Sequence, residues 1–249
     1  MSDIKYVNSL GFKIFSDSLD KISIKNSPAK VINTISPNSY GIATKDEVFC
    51  ESLKKTDYLV LDGVYFALAS ILLKGKNIRK NQGPEVFRHF IALAEQNKYR
   101  VFFLGSSEET LKKIKDRVNE EYPNVEVMGY SPPFKPEFTD DDDNKMVDAI
   151  NEFNPDILFV GMTCPKQEKW SVKNKGALNT GLVVSIGNVF DWFARTQKAI
   201  PHIWYQLRIA WLVRIFLRPE ILKRNIANQM KFFTDVVLIF LRLKKVKEN

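Results

Sequence analysis

Two short apolar segments, each followed directly by a glycine, constrain the fold of this 249-residue chain more than any other feature. Ile157–Val160 and Leu182–Ile186 have the length and β-branched content of buried strands, and polar residues follow the glycine in each case. This repeated strand–turn–helix pattern predicts a parallel sheet, and ligands bind to such sheets beyond the carboxyl ends of the strands. We therefore expect a binding site at Gly161–Glu168 and Gly187–Asp191.

The rest of the chain continues the alternation of strands and helices. A short β element is expected at Phe12–Ile14, and four more buried strands are predicted at Lys30–Ile35, Tyr58–Leu61, Arg100–Leu104 and Val125–Met128. Helices are predicted at 45–55, 64–73, from Gly83, at 107–121 and at 146–153. Six strands alternating with helices predict an α/β, Rossmann-like, mostly parallel sheet with helices on both faces.

The positive charge of the chain is concentrated at its C-terminal end. Residues 202–249 carry ten Lys and Arg against three Asp and Glu, which accounts for +7 of the net charge of +8. Aromatic and aliphatic residues are interleaved there with Arg208, Arg214 and Arg218, which favours an anionic membrane surface over nucleic acid. The arginines leave no apolar run of about 20 residues, so we expect peripheral attachment. We predict a core at 1–201 and a helical appendage at 202–249, divided near Pro219.

The cellular compartment and the oligomeric state are indicated only by weaker features of the sequence. Cys50 and Cys164 cannot form a disulfide framework, and the first residues lack the pattern of a signal peptide. We expect a cytoplasmic protein that attaches peripherally to a membrane. The apolar helix at 64–73 could be buried in the core or under the appendage, or it could face another subunit, which leaves a homo-oligomer open.

Three polar residues follow the first two strands of the predicted sheet. Asp62 comes directly after Tyr58–Leu61, so its carboxylate would lie at the carboxyl edge and could accept a proton from an attacking hydroxyl. Its position leaves a second interpretation equally open, a cap for the next helix. Ser36 and Asn38 follow Lys30–Ile35 and could either hydrogen-bond a sugar or stabilise their own turn.

Two further turns could bind a polar ligand. Gly105 and Ser106 precede a predicted helix whose free backbone amides suit a phosphate, although many strand-to-helix turns contain these residues. Lys166, Gln167 and Glu168 follow a buried strand closely, which favours a turn that faces a polar ligand over a solvated first helical turn.

Two other patterns have competing interpretations. Cys164 could be a nucleophile, but no histidine is near it in sequence, so a small filler side chain is favoured. Asp140–Asp143 could bind a metal, but these acids precede an amphipathic stretch, which favours helix capping.

Taken together, these motifs resemble the WecG/TagA/CpsF family of bacterial glycosyltransferases over about residues 30–230. The similar segments are Asp62-Gly63, Val101–Gly105, Tyr122–Tyr130, Pro155–Gly161, Pro165–Trp170, Gly187–Asp191 and Trp211–Arg224. The resemblance implies transfer of a sugar from a UDP-sugar to an undecaprenyl-diphosphate-linked acceptor in the synthesis of teichoic acid or another surface polysaccharide. It also implies a Rossmann-like core with an appendage that docks to the membrane, so that the protein is cytoplasmic and peripheral on the inner face of the plasma membrane.

The resemblance also implies roles for individual residues. Asp62 corresponds to the proposed general base, Asn38 and Gln167 to residues of the reaction pocket, and Arg214 and Arg224 to arginines that meet the diphosphate. The residues expected to bind substrate are Ser36, Gly105, Ser106, Gly129, Gly161, Lys166, Glu168, Gly187, Asp191, Arg214 and Arg224. No cofactor is expected, because arginines and amides would meet the phosphate charge instead of a metal.

The leading hypothesis is an inverting glycosyltransferase that uses a UDP-sugar. The second hypothesis is a non-catalytic nucleotide-sugar-binding subunit that recruits a partner enzyme to the membrane. A nucleic-acid-binding protein is disfavoured by the apolar character of the C-terminal segment.

Overall fold

The fold is built on a parallel six-stranded sheet. The structure, a computed structural model, describes residues 4–24, 28–196 and 219–246, with side chains in the last range from residue 225 onward. The chain begins with a separate antiparallel hairpin of β1 (Tyr6–Ser9) and β2 (Phe12–Phe15). The sheet contains β3 (Lys30–Ile35), β4 (Tyr58–Leu61), β5 (Arg100–Gly105), β6 (Glu126–Tyr130), β7 (Ile157–Gly161) and β8 (Leu182–Ser185), in the spatial order β4-β3-β8-β7-β5-β6. The predicted fold class is confirmed.

Helices cover both faces of the sheet. They are α1 (Pro37–Ala43), α2 (Glu47–Lys54), α3 (Tyr65–Lys74), α4 (Gly83–Asn97), α5 (Glu108–Glu121), α6 (Asp140–Phe153), α7 (Lys166–Asn174), α8 (Val189–Phe193) and α9 (Pro219–Phe240). Because side chains alternate along a strand, Phe103 and Phe159 pack with α4, α5 and α8 on one face. Phe102 and Leu158 pack with α6 and α7 on the other.

Two elements near the N-terminus were not foreseen. The strand β1 pairs with β2, and α1 occupies a segment that the sequence indicated only as a turn. The helix α1 has seven residues, too few to display a helical hydrophobic period. Its start is fixed by a capping box, in which Ser36 Oγ accepts from the Ser39 amide and Ser39 Oγ accepts from the Ser36 amide.

The acidic run at 140–143 begins a helix, as the capping interpretation predicted. Thr139 is the N-cap of α6, and Asp142 completes a capping box with it. Hydrogen bonds from Lys135 and Thr139 lower the pKa of Asp142 to about 2. These acids therefore stabilise the first turn of α6.

The helix α9 is packed onto the core. It begins at Pro219, where the sequence predicted a division of the C-terminal segment; the helix predicted before it lies outside the described residues. Phe232 and Val236 are buried against α1 and α3. A Cβ added to Gly41 of α1 would lie 2.3 Å from the Asn228 carbonyl oxygen, so only glycine permits this approach of the two backbones. The boundary between core and appendage stays a prediction.

The helix α3 is buried on one side only. Phe66 and Ala69 are buried, and the Phe66 ring packs against that of Phe232 of α9 with the centroids 5.3 Å apart, as expected for an apolar helix under the C-terminal segment. Leu68 and Leu72, on the other side, are 56% and 54% exposed. Among the described helices, none combines the length and apolar character needed to cross a membrane.

Candidate functional site

The strand order of the sheet predicts a crevice at its carboxyl edge, at the end of β8. This strand lies between β3 and β7. The helix that follows it, α8, packs on one face of the sheet, whereas α1 and α7, which follow β3 and β7, pack on the other. Connections that leave neighbouring strands toward opposite faces separate at the strand ends, and ligands of open α/β sheets bind in that gap.

One side of the crevice, which we call the β3–β4 side, carries Ser36, Asn38 and Asp62. Leu61 pairs in register with Ile35, and the Asp62 amide donates to the Ile35 carbonyl at 2.9 Å. The carboxylate-bearing residue therefore lies beside Ser36 at the end of the neighbouring strand. Two strand spacings, roughly 10 Å, separate β4 from β8.

The capping alternative for Asp62 stays open. The N-cap residue of α3 is Val64, whose own side chain makes no cap hydrogen bond, and Asp62 lies two residues before it. For Ser36 the turn-stabilising alternative is confirmed, because its hydroxyl caps α1. Any contact of Ser36 with a substrate stays a prediction.

Asn38 makes a contact that local sequence could not reveal. Its Oδ1 accepts from Asn228 Nδ2 of α9 at 3.2 Å, and Lys45 Nζ donates to Asn228 Oδ1 at 3.3 Å. A candidate pocket residue is thus held by a side chain 190 positions away. Sequence reasoning missed Asn228 because no motif surrounds it.

The opposite side, which we call the β7–β8 side, depends on two glycines. A Cβ on Gly161 would lie 2.4 Å from the Phe190 ring, so the glycine lets α8 pack against the end of β7. Gly187 has a φ of +51°, which favours glycine, and a Cβ there would lie 3.5 Å from Gln167 Oε1. The Gln167 amide therefore lies against the turn that follows β8.

Gln167 and Glu168 are buried rather than solvated. They are 5% and 1% exposed, and Gln167 Nε2 donates to Glu168 Oε1 at 2.8 Å. Burial raises the pKa of the Glu168 carboxyl, although hydrogen bonds from Gln167 and Cys164 oppose the shift. The alternative of a solvated first helical turn is wrong for these two residues.

Lys166 and Asp191 flank the crevice with partners of their own. Lys166 Nζ donates to the Lys135 carbonyl at 2.8 Å and lies 4.3 Å from the Phe138 ring centroid, and burial lowers the pKa of its ammonium. Asp191 is half-buried in the first turn of α8, where its Oδ1 accepts from the Thr196 hydroxyl at 3.3 Å. Substrate contacts for both residues stay predictions.

Gly105 and Ser106 form a tight turn at the end of β5. Gly105 has a φ of +118°, and a Cβ on it would lie 2.6 Å from the Gly161 carbonyl oxygen, so β5 and β7 converge there. Ser106 has a φ of +61°, and its carbonyl accepts from the Ser131 hydroxyl at 2.7 Å. This turn adjoins the β7–β8 side.

Gly129 is the predicted site residue that the structure places apart. It lies inside the edge strand β6, opposite Phe103, with β5 and β7 between it and β8. The sequence predicts a strand that ends at Met128, before Gly129, whereas the strand extends to Tyr130. The glycine does allow close packing, because a Cβ would lie 3.1 Å from the Phe103 carbonyl oxygen.

The other candidate residues are a cysteine, the two histidines and two arginines. Cys164 packs against the core, and its thiol bonds Glu168, which fits a filler side chain better than a nucleophile. His89 Nδ1 lies 3.8 Å from Asp20, and His202 lies outside the described residues. Arg214 also lies outside them, and of Arg224 only the backbone, in α9, is described.

A parallel sheet that gathers an acid, an amide side chain and glycine turns at its carboxyl edge has the architecture of α/β enzymes that bind nucleotides. Residues 6–246 match the model of the glycosyl transferase WecG/TagA/CpsF family, and the chain belongs to this family. It is therefore a glycosyltransferase.

Two relatives match most of the chain. The chain is 28% identical over 225 residues to an N-acetylglucosaminyldiphosphoundecaprenol N-acetyl-beta-D-mannosaminyltransferase of Bacillus subtilis, a match that covers 90% of this chain and 86% of the relative. A protein with the same name from Staphylococcus aureus is 28% identical over 186 residues, which are 75% of this chain and 71% of the relative.

Proposed function

We propose that this glycosyltransferase transfers N-acetylmannosamine from its UDP derivative to a sugar linked to undecaprenyl diphosphate. The names of the relatives support both the sugar and the acceptor. They also specify a β linkage, which is the product of direct displacement at an α-linked UDP-sugar. The proposal therefore includes inversion at the anomeric carbon.

The reaction needs a base for one hydroxyl and a site for the leaving diphosphate. We propose that Asp62 takes the proton of the acceptor hydroxyl as its oxygen forms a bond to the anomeric carbon. The bond from that carbon to the UDP oxygen breaks at the same time, and UDP leaves with the electron pair. Backbone amides at the glycine turns would meet the diphosphate charge, together with Arg214 and Arg224.

The observation that carries this proposal is the register between β3 and β4. It places Asp62 beside Ser36 at the carboxyl edge, two strands from the turn at Gly187. An acid on one side of the crevice and amides on the other suit a base facing a nucleotide-sugar.

The test is Asp62→Asn, with Asp57→Asn as the matched control. Asp57 precedes the same strand at its opposite end, where it accepts from Lys30, Lys175 and the Val31 amide. Loss of a general base should lower kcat about 100-fold or more for Asp62→Asn in the folded protein. Asp57→Asn should lower the melting temperature and retain kcat in the folded protein. Near wild-type transfer of radiolabelled sugar by folded Asp62→Asn would remove this residue from the base role.

We further propose that the enzyme binds the membrane through a surface formed by α3 and α9. Tyr65 packs edge to face on Phe233 with ring centroids 5.6 Å apart, which joins the outer sides of the two helices. The α3–α9 surface consists of the exposed apolar residues Leu68, Ile71, Leu72, Ile226, Met230, Phe233, Val237 and Phe240. Its apolar extent suits insertion into the interfacial region of a bilayer.

The charge around this surface supports an anionic bilayer. Residues 64–80 contain four Lys and Arg and no acid, and residues 225–246 contain four more. The one acid in these two ranges, Asp235, is buried and paired with Lys231 and Lys244. Because α3 begins three residues after Asp62, this surface would bring a lipid-linked acceptor beside the proposed base.

The membrane proposal is tested with the double variant Leu68→Glu/Leu72→Glu and vesicles that contain phosphatidylglycerol. Two apolar side chains lost from the interface should weaken binding roughly 100-fold in a flotation assay. Val48→Glu on α2 changes a residue that is 65% exposed and lies outside the α3–α9 surface, so it should bind like wild type. Unchanged vesicle binding by the double variant, with loss of a dimer by light scattering, would identify a subunit interface instead.

A further inference from the structure

A fully buried carboxyl lies within the candidate site, and the mechanism above gives it no role. Glu168 is in the first turn of α7 and is 1% exposed. Its neighbours in sequence bind elsewhere: Lys166 Nζ bonds the Lys135 carbonyl, and Lys169 Nζ lies 2.5 Å from Asp46. In the described part of the chain, no lysine or arginine forms an ion pair with Glu168. A carboxyl without a cation is costly to bury, and a function for Glu168 would account for that cost.

The Glu168 carboxyl accepts from one side chain of the candidate site, Gln167. Its Oε1 accepts from Gln167 Nε2 at 2.8 Å, while Oε2 is buried without a hydrogen-bond partner among the described residues. The Cys164 thiol is a second donor, and burial raises the pKa of the carboxyl. The carboxyl therefore engages the donor group of the Gln167 amide and leaves the acceptor group free for another use.

The Gln167 amide lies against the turn after β8, where a Cβ on Gly187 would be 3.5 Å from Oε1 and 3.7 Å from Nε2. Nε2 is bonded to Glu168, whereas Oε1 is buried and has no partner within the described residues. A buried amide oxygen that accepts nothing is unusual in a folded protein. Beside a crevice, it is suited to a ligand that brings a hydrogen-bond donor.

We propose that Glu168 is a positioning residue that fixes the Gln167 amide so that Oε1 accepts a hydrogen bond from a hydroxyl or amide N–H of the transferred sugar. This inference rests on the proposed function. Without the bond to Glu168 the amide can turn over and present its NH₂ group, which repels the same donor. The cost of the buried carboxyl is thus balanced by an ordered site.

The experiment is a double-mutant cycle on Gln167 and Glu168. Glu168→Met keeps the length and burial of the side chain but removes the acceptor, and kcat should fall about tenfold, as one misplaced hydrogen bond implies. Gln167→Ala should lower kcat at least as much, and the double variant should equal Gln167→Ala because the two residues act as a unit. Glu168→Gln, which keeps an acceptor at Oε1, should recover most of the loss. If Glu168→Met does not fold, Glu168→Ala replaces it in the cycle.

The control is Ser171→Ala, one turn further along α7. Ser171 is 0% exposed and its hydroxyl lies 3.1 Å from that of Ser185, so the variant removes a buried polar contact from the same helix face without touching Gln167. It should change the melting temperature and leave kcat unchanged. The affinity for UDP alone, measured by calorimetry, should be the same in all these variants, because the inferred contact is to the sugar.

The outcomes separate the inference from the function on which it rests. If Gln167→Ala transfers sugar like wild type, the proposed site fails, and the role of Glu168 fails with it. If Gln167→Ala is impaired while folded Glu168→Met is not, only the positioning role is overturned. Losses that multiply in the double variant would also overturn it, because independent residues do not share a single contact.

Discussion

The two sides of the crevice are held by different parts of the chain. The β7–β8 side is built by neighbouring elements of the core, with Gly161 packed on Phe190 and the Gln167 amide against Gly187. The β3–β4 side depends on α9, which bonds Asn38 through Asn228 and packs its backbone on Gly41. A change that weakens the docking of α9 should therefore displace the residues beside the proposed base more than it displaces the nucleotide-binding turns.

The largest effect is expected for Asp235→Asn. Asp235 is 1% exposed and accepts from the Tyr40 hydroxyl at 3.0 Å, and it pairs with Lys231 and Lys244 at 2.6 and 2.7 Å. Removing this charge leaves two half-exposed ammonium groups without a partner, so we expect a loss of about 3 kcal/mol in the free energy of unfolding. Urea denaturation measures it. A loss below about 0.5 kcal/mol would mean that α9 is held by its apolar contacts alone.

The same residue predicts a dependence on pH. Burial tends to raise the pKa of Asp235, but the hydrogen bonds from Lys231, Lys244 and Tyr40 outweigh burial and lower it. A lowered pKa means that the unfolded state binds more protons, so the stabilisation is present above the ordinary carboxyl pKa of about 4 and is lost as the pH falls through the lowered value. The difference in the free energy of unfolding between the wild type and Asp235→Asn should therefore shrink as the pH is lowered, as measured by urea denaturation.

A smaller effect is expected for Gly41→Ala. The new Cβ would lie 2.3 Å from the Asn228 carbonyl oxygen, and a backbone atom cannot yield as a side chain can, so α1 and α9 must separate at a cost of about 2 kcal/mol. Sugar transfer should fall more than UDP affinity, because the β3–β4 side is the one displaced. Gly176→Ala, where no atom lies within 4 Å of the added Cβ, should change stability by less than about 0.5 kcal/mol.

The smallest effect is expected for Asn228→Ala. It removes the half-buried hydrogen bond to Asn38, worth about 1 kcal/mol, and the exposed hydrogen bond from Lys45, while the helix stays docked. We expect a several-fold loss of kcat with nearly unchanged UDP affinity. Thr234→Ala, an exposed position of α9, serves as the control. Equal losses in transfer and UDP affinity would erase the distinction between the two sides.

Much of the fold was predictable because its signals are local. Buried strands such as Ile157–Gly161 show as short β-branched runs, and the glycines Gly161 and Gly187 mark the ends of β7 and β8. The carboxyl-edge positions of Asp62, Gly161 and Gly187 follow from that pattern once the sheet is parallel. The helix α1 escaped prediction because seven residues hold too little periodicity, and Gly129 was misplaced because strand ends are not encoded sharply.

The sequence by itself thus determined the order of the strands along the chain, the edge that holds the site and the residue types gathered there. The tertiary structure alone decided that Glu168 is buried under Gln167, that Asn38 meets Asn228, and that α3 keeps an exposed apolar side. The physical reason is range: turns and periods depend on residues a few positions apart, whereas burial and pairing depend on surfaces that meet only when distant segments pack together.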